Sequence, residues 1–242
     1  MRGNYCTLNP LDSSGATISN GNLQYTLGVG SNFTTRSTIG MTAGKWYAEW
    51  TYVSGTNSNV GIATSQASLS EYLGQNAFSW IYYLNGQKFT SGTGTAYGAT
   101  YTTGDIIGIA FDADVGSLTF FKNGASQGVA FTGLTSGPYF FAIGSSDTVG
   151  HYNFGQRPFA YTAPSGFKAL NTQNLPTPTI GATPATQAGK YFNTVLYTGN
   201  GTSQSISGVG FQPDFVWGKS RSNVSRHVLV DAVRGRSKVL YS

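Results

Sequence analysis

Two histidines, one cysteine, two glutamates and seven aspartates are among the side chains of this 242-residue chain that could carry proton transfer, nucleophilic attack or metal ligation. Their spacing assembles no such device. His151 and His227 have no Cys, His or Glu at metal-ligand spacing, which leaves a zinc site or a histidine relay little to work with. Cys6 stands alone, which excludes an internal disulfide and a multi-thiolate site. Glu49 or Glu71 could in principle join Asp105, Asp112 or Asp147 in a glycosidase pair. Nothing in the spacing brings such a pair together, and Glu49, between aromatic neighbours, reads as a solvated or hydrogen-bonded strand position. Asp112, Asp114 and Gly116 imitate the start of a calcium loop but lack its downstream acidic ligand, and Asp and Gly are ordinary turn residues. The Gly-rich stretch Ser91 to Gly98 lacks the following Lys-Ser/Thr of a phosphate-cradling loop. The expectation is a non-enzymatic protein with no catalytic residue, no metal and no cofactor.

Aromatic and basic side chains remain for recognition. Tyr72, Tyr97, Tyr101 and Tyr161 fall between expected strands and are the candidate ligand-binding aromatics, because such rings stack on sugar faces and give rigid contact area at small entropic cost. Residues 1–189 hold seven basic and seven acidic residues and residues 190–242 hold seven and two, so the net charge of +5 resides in the last segment. Lys219, Arg221, Arg226, Arg234, Arg236 and Lys238 form a candidate basic patch for DNA, an acidic polysaccharide or an acidic neighbouring subunit, with a solvated strand face as the plain alternative. Few aromatics alternate with these charges, and the neutral part has no electrostatic footprint for phosphate, so nucleic acid is not the expected partner.

Positioning falls to β-strands. Aromatic residues make up 14% of the chain, charged residues 10%, and Gly occupies 33 positions, a mixture that favours many short strands joined by turns over a helical bundle or a disordered chain. In Lys45 to Val53, period-two alternation places Trp46, Ala48, Trp50 and Tyr52 on one face, expected to be core, and Tyr47, Glu49, Thr51 and Val53 on the other. Asp105 to Asp112, apolar on both faces, predicts a central strand that returns through Ser117 to Lys122. Asn20-Gly21, Asn85-Gly86 and Asn123-Gly124 mark hairpin turns, and Ser91 to Thr95 reads as loop. The prolines up to Pro184 mark a boundary, which gives a sandwich over 1–175, a Pro/Thr-rich linker over 176–189 and a β-rich basic module over 190–242. Tyr191 to Tyr197 and Phe215 to Trp217 read as strands of that module. About fifty residues is few for an independent core, so it is expected to pack on the first domain, exchange strands between subunits, or open a domain that continues in a longer protein. Met1 to Pro10 lacks the basic start and apolar core of a signal peptide, and no later run is long enough to span a bilayer. A soluble protein without Sec-type export or membrane insertion is expected.

Five segments in order carry a family resemblance: Gly44-Lys45-Trp46-Tyr47-Ala48-Glu49, Val60-Gly61-Ile62-Ala63, Gly104 to Asp112, Leu118 to Gly124, and Asn153-Phe154-Gly155-Gln156-Arg157-Pro158-Phe159. Together they resemble the SPRY family over roughly residues 4–170, which implies an all-β, concanavalin-like sandwich of two antiparallel sheets. The flanking segments Asn4 to Leu11 and Pro164 to Pro176 are similar to those around this sandwich in bacteriophage tail-fibre and other virion proteins. Gly210 to Arg221 and Asp231 to Gly235 resemble part of a second module that follows it there. This resemblance implies a virion surface protein: a tail-fibre or receptor-binding module contacting a host surface glycan or protein. The alternative is a structural head-decoration, fibre-shaft or adaptor protein that binds other virion subunits. A homo-oligomer, trimeric as in fibres, is expected under both.

Overall fold

Lys45 to Gly55 is the longest strand, and its Trp46, Ala48, Trp50 and Tyr52 side chains all lie in the core, as the alternation predicts. The computed structural model describes residues 3–30, 32–176, 181, 185–235 and 237–241. These fall into two units, Met1–Pro176 and Thr177–Ser242.

The strands of the first unit are, in chain order, β1 (Leu8–Ser13), β2 (Thr17–Ser19), β3 (Gln24–Leu27), β4 (Phe33–Ser37), β5 (Lys45–Gly55), β6 (Asn59–Thr64), β7 (Ser79–Tyr83), β8 (Gln87–Thr90), β9 (Thr93–Ala96), β10 (Ile106–Asp112), β11 (Ser117–Lys122), β12 (Ala125–Phe131), β13 (Tyr139–Ser145), β14 (Thr148–Asn153) and β15 (Lys168–Ala169). One sheet runs β1-β4-β13-β6-β7-β8-β9 and the other β12-β11-β10-β5-β14-β3-β2, with β15 added in parallel along β5. Apart from β15, every pairing in these two sheets is antiparallel, and the core between them is shared. Trp50 and Phe111 from one sheet and Phe141 from the other are completely buried. Tyr152 stacks on Phe154 at 4.7 Å, and its hydroxyl crosses to the opposite sheet, donating to Ala142 O at 2.8 Å.

Asn123 and Gly124 turn β11 into β12 with φ values of 47° and 80°. Both therefore occupy the left-handed region that suits a two-residue hairpin between twisted strands. Asn123 also accepts the Ile106 N–H at 2.9 Å, tying the turn to the start of β10. The stretch expected as loop at Ser91 to Thr95 is partly strand. Ser91 and Gly92 (φ 54° and 68°) make a tight turn, and β9 pairs back onto β8, giving its backbone groups partners.

The outer face of β5 is also covered. Tyr47 and Glu49 are 1% and 2% exposed, because the segment after β14 folds over them. Phe159 packs edge-on against Tyr47 at 4.9 Å. The Glu49 carboxylate accepts the N–H groups of Ala160 at 2.8 Å and Tyr161 at 2.9 Å. A buried carboxylate is tolerated only when such donors replace its water. Glu49 thus acts as a clasp that fastens the exit segment onto the sandwich.

In the second unit β16 (Phe215–Gly218), β17 (Val228–Asp231) and β18 (Val239–Tyr241) form an antiparallel sheet. Tyr191 to Tyr197 is not a strand. It follows a short 3-10 turn at Ala188–Lys190 and finds no pairing partner. Of the expected linker, residues 177–180 and 182–184 lie outside the described residues. Among the described residues no helix is long and apolar enough to cross a membrane.

Candidate ligand-binding site

Where β5 turns into β6 and β13 turns into β14, two loops are fastened together by Asp147. Its carboxylate accepts the Thr56 N–H at 3.0 Å and the Thr56 hydroxyl at 2.6 Å, and its carbonyl accepts the same N–H at 3.0 Å. Gly55 permits this approach: at φ 119°, a Cβ there would stand 1.9 Å from Asp147 O. The Tyr52 hydroxyl donates to Gly55 O at 2.5 Å, and burial, followed by the negative charge of Asp147, holds that phenol above its ordinary pKa.

Beside this junction lies a pocket of about 330 Å³ whose lining, among the described residues, is entirely uncharged. Asn57 joins two of its walls. Its Oδ1 accepts the Tyr83 hydroxyl at 2.8 Å, and its Nδ2 donates to Ser146 Oγ at 3.2 Å. Burial raises the pKa of Tyr83, so its hydroxyl keeps the proton it donates. Phe89 meets the Tyr83 ring edge-on at 5.8 Å, and Ser145 closes the side formed by β13. Asn59 is 7% exposed and donates through Nδ2 to Leu73 O at 3.2 Å, while among the described residues its Oδ1 has no hydrogen-bond partner. A buried acceptor left unpaired is costly, so this atom is notable. Asn32 and Tyr72 complete the lining, and among the described residues their side-chain polar groups have no hydrogen-bond partner either.

Of the four expected aromatics, only Tyr72 lines this pocket. Tyr101 is the clear correction. It is 1% exposed, with its hydroxyl donating to Ser58 O at 2.7 Å and its ring against Tyr52 and Tyr82, so it is core rather than a surface contact. Tyr97 is half-buried, its hydroxyl spent on Gly128 O at 2.5 Å and on the Phe120 N–H at 3.2 Å, and burial pushes its pKa up to about 12. Tyr161 is half-buried beside Gly124 in the segment clasped by Glu49.

In the second unit Lys219, Arg221, Arg226 and Lys238 are exposed. Arg234 is bound to Asp231 at 2.6 Å, and Arg236 lies outside the described residues. Asp112 and Asp114 serve the hairpin: Asp112 pairs with Lys45 at 3.0 Å and accepts the Asp114 N–H at 3.1 Å, while Asp114 accepts the Gly44 N–H at 2.7 Å.

Sequence reasoning missed Asn32, Asn57, Asn59, Tyr83, Phe89, Ser145 and Ser146. The run Asn57-Ser58-Asn59 at a strand junction was the available signal. Knowing that it faces the ends of β7, β8 and β13 requires the sheet order.

The family model of the SPRY domain matches residues 44–157. The solved SPRY domain of human HERC1 superposes with a TM-score of 0.56 at 19% identity, covering 62% of this chain and 99% of that one. Residues 44–157 form a SPRY domain. Similar sequences include Ran-binding protein 9 of Xenopus tropicalis, 37% identical over 105 residues, which are 42% of this chain and 19% of that protein. Protein ssh4 of Sclerotinia sclerotiorum is 29% identical over 177 residues, 70% of this chain and 32% of that protein. The chain thus spans about a fifth to a third of these relatives' length. The pocket-lining Asn57, Asn59, Tyr72, Tyr83, Phe89, Ser145 and Ser146 all lie within the SPRY match. Residues 187–242 match a family described as a domain of unknown function, DUF7483.

Proposed function

We propose that the chain is a non-enzymatic recognition module of a virion surface that takes a host-surface ligand at the Asn/Tyr-lined pocket of its SPRY domain. The observation that carries the pocket reading is the buried, unpaired Asn59 Oδ1 in its lining, a hydrogen-bonding capacity that the fold itself does not use. The virion setting rests on the resemblance of the flanking segments. The test is binding of labelled full-length protein to intact bacterial cells, compared with Tyr72→Ala and Asn32→Ala variants. Saturable binding that both variants lose supports the module. Binding that neither variant weakens rejects the pocket as the site.

A second reading, docking to other virion subunits including further copies of this chain, is favoured by the C-terminal unit, whose Phe215, Trp217, Leu240 and Tyr241 are exposed at 52%, 63%, 45% and 62%. Sedimentation tests its oligomeric part: this second reading requires a trimer that dissociates on Trp217→Ser, and a concentration-independent monomer counts against it.

A further inference from the structure

We propose that the ligand of this pocket is a neutral saccharide unit, a deepening that rests on the pocket's being the binding site. The free groups define the chemistry. Among the described residues Asn59 Oδ1 is a buried acceptor without a donor, so a ligand group that reaches it must bring an O–H or N–H. The Tyr72 hydroxyl and the Asn32 amide, both unpaired among the described residues, can each donate as well as accept. A pyranose, whose hydroxyls both donate and accept, suits groups of both kinds.

The aromatic part of the lining fits the same ligand. Tyr72, Tyr83 and Phe89 offer apolar ring surface beside the amides, which suits a sugar's C–H face. A volume of about 330 Å³ is that of a small ligand and well short of an extended polypeptide groove. Charge narrows the class further. With no charged side chain in the lining among the described residues, a sialic acid or a phosphorylated sugar would leave its anion uncompensated.

The full-length protein is applied to immobilised oligosaccharides ending in neutral hexose or N-acetylhexosamine, to the same chains capped with sialic acid, and to a panel of short peptides. Expected is binding to neutral termini only, with a Kd that rises about tenfold in Tyr72→Phe, which removes one hydroxyl from a rim residue. The affinity should stay within about twofold between low and high salt, as it would not for a ligand held by the basic C-terminal segment. Asn59→Leu removes the unpaired acceptor; it should abolish binding, and thermal unfolding shows separately whether the variant is folded. Peptide binding lost in the same variants overturns the saccharide inference and leaves the pocket reading standing. Cell binding that persists unchanged in Tyr72→Phe and Asn59→Leu overturns both, and binding of a folded sample to none of the three panels overturns the saccharide inference.

Discussion

The two units of this chain draw on similar residues and use them in opposite ways. In the SPRY sandwich, Trp50, Phe111, Phe141, Tyr152 and Phe154 are wholly inside. In the C-terminal unit, Phe192, Leu196, Tyr197 and Trp217 are 75%, 74%, 64% and 63% exposed, and none of its described residues is buried. Register explains the difference. Across β16, β17 and β18, Val216, Val230 and Val239 stand abreast, and Trp217, Leu229 and Leu240 stand abreast in the adjacent row. Successive residues point to opposite faces, so both faces of this three-stranded sheet are apolar. A sheet of that pattern is stable when layers cover it, as the two sheets of the sandwich cover each other. Hydrophobic residues alone do not make a core; a second layer does.

The comparison is tested most strongly by truncating one tryptophan in each unit. Trp50→Ala opens a cavity in a close-packed interior and should destabilise the sandwich by about 3–5 kcal/mol in urea unfolding. Trp217→Ala should cost less than about 1 kcal/mol, since its ring is already in water and only the contact with His227, 2.7 Å from indole nitrogen to Nδ1, is lost. Equal effects would show that the C-terminal sheet is covered in solution.

A somewhat smaller loss is expected from Glu49→Ala. It leaves the N–H groups of Ala160 and Tyr161 without their acceptor. Ala160 is exposed and Tyr161 half-buried, so water reaches the freed N–H groups, and at about 1–2 kcal/mol for each lost bond a total near 2–4 kcal/mol is expected. Hydrogen exchange should rise at Ala160 and Tyr161 before it rises in β5. Unchanged protection there would mean that the exit segment is held by its other contacts, Phe159 on Tyr47 and β15 along β5 among them.

The outline of the sandwich was legible because its strands alternate or are apolar throughout and its turns carry Asn-Gly. Trp46 to Tyr52 and Ile106 to Asp112 could be placed from the chain itself. What could not be read is what depends on contacts across long separations. Glu49 meets Ala160 and Tyr161 from more than a hundred positions away. Asn57 meets Ser146, and Asp147 meets Thr56, across about ninety. Tyr101 looked like a loop aromatic because its neighbours are Thr and Gly, yet it fills the space between β5 and β7. The C-terminal unit misled in the reverse sense: Tyr191 to Tyr197 has a strand's composition but no strand to pair with. Composition reports what a segment could bury, and topology decides whether anything is there to bury it.

The smallest expected effect separates two carboxylates whose pKa values both lie below the ordinary aspartate value. For Asp105 partial burial opposes the shift, and the Thr102 N–H, the Asn123 amide and Lys122 outweigh it. Asn123 and Lys122 lie across the β10–β11 hairpin, at 2.6 Å and 3.2 Å. Asp231 is lowered chiefly by the backbone N–H of Arg234, three residues away, and then by its side chain. A depressed carboxylate stabilises the fold above its unfolded pKa, and that contribution is lost as pH falls through the folded value. Asp105→Asn should therefore cost about 1 kcal/mol between pH 5 and 7, and the gap to the parent should close below about pH 4. Asp231→Asn should leave the main unfolding transition in place at every pH, because its partner is local and none of the described residues of its unit is buried. A pH-dependent gap of equal size in both variants would mean that the C-terminal unit unfolds together with the sandwich.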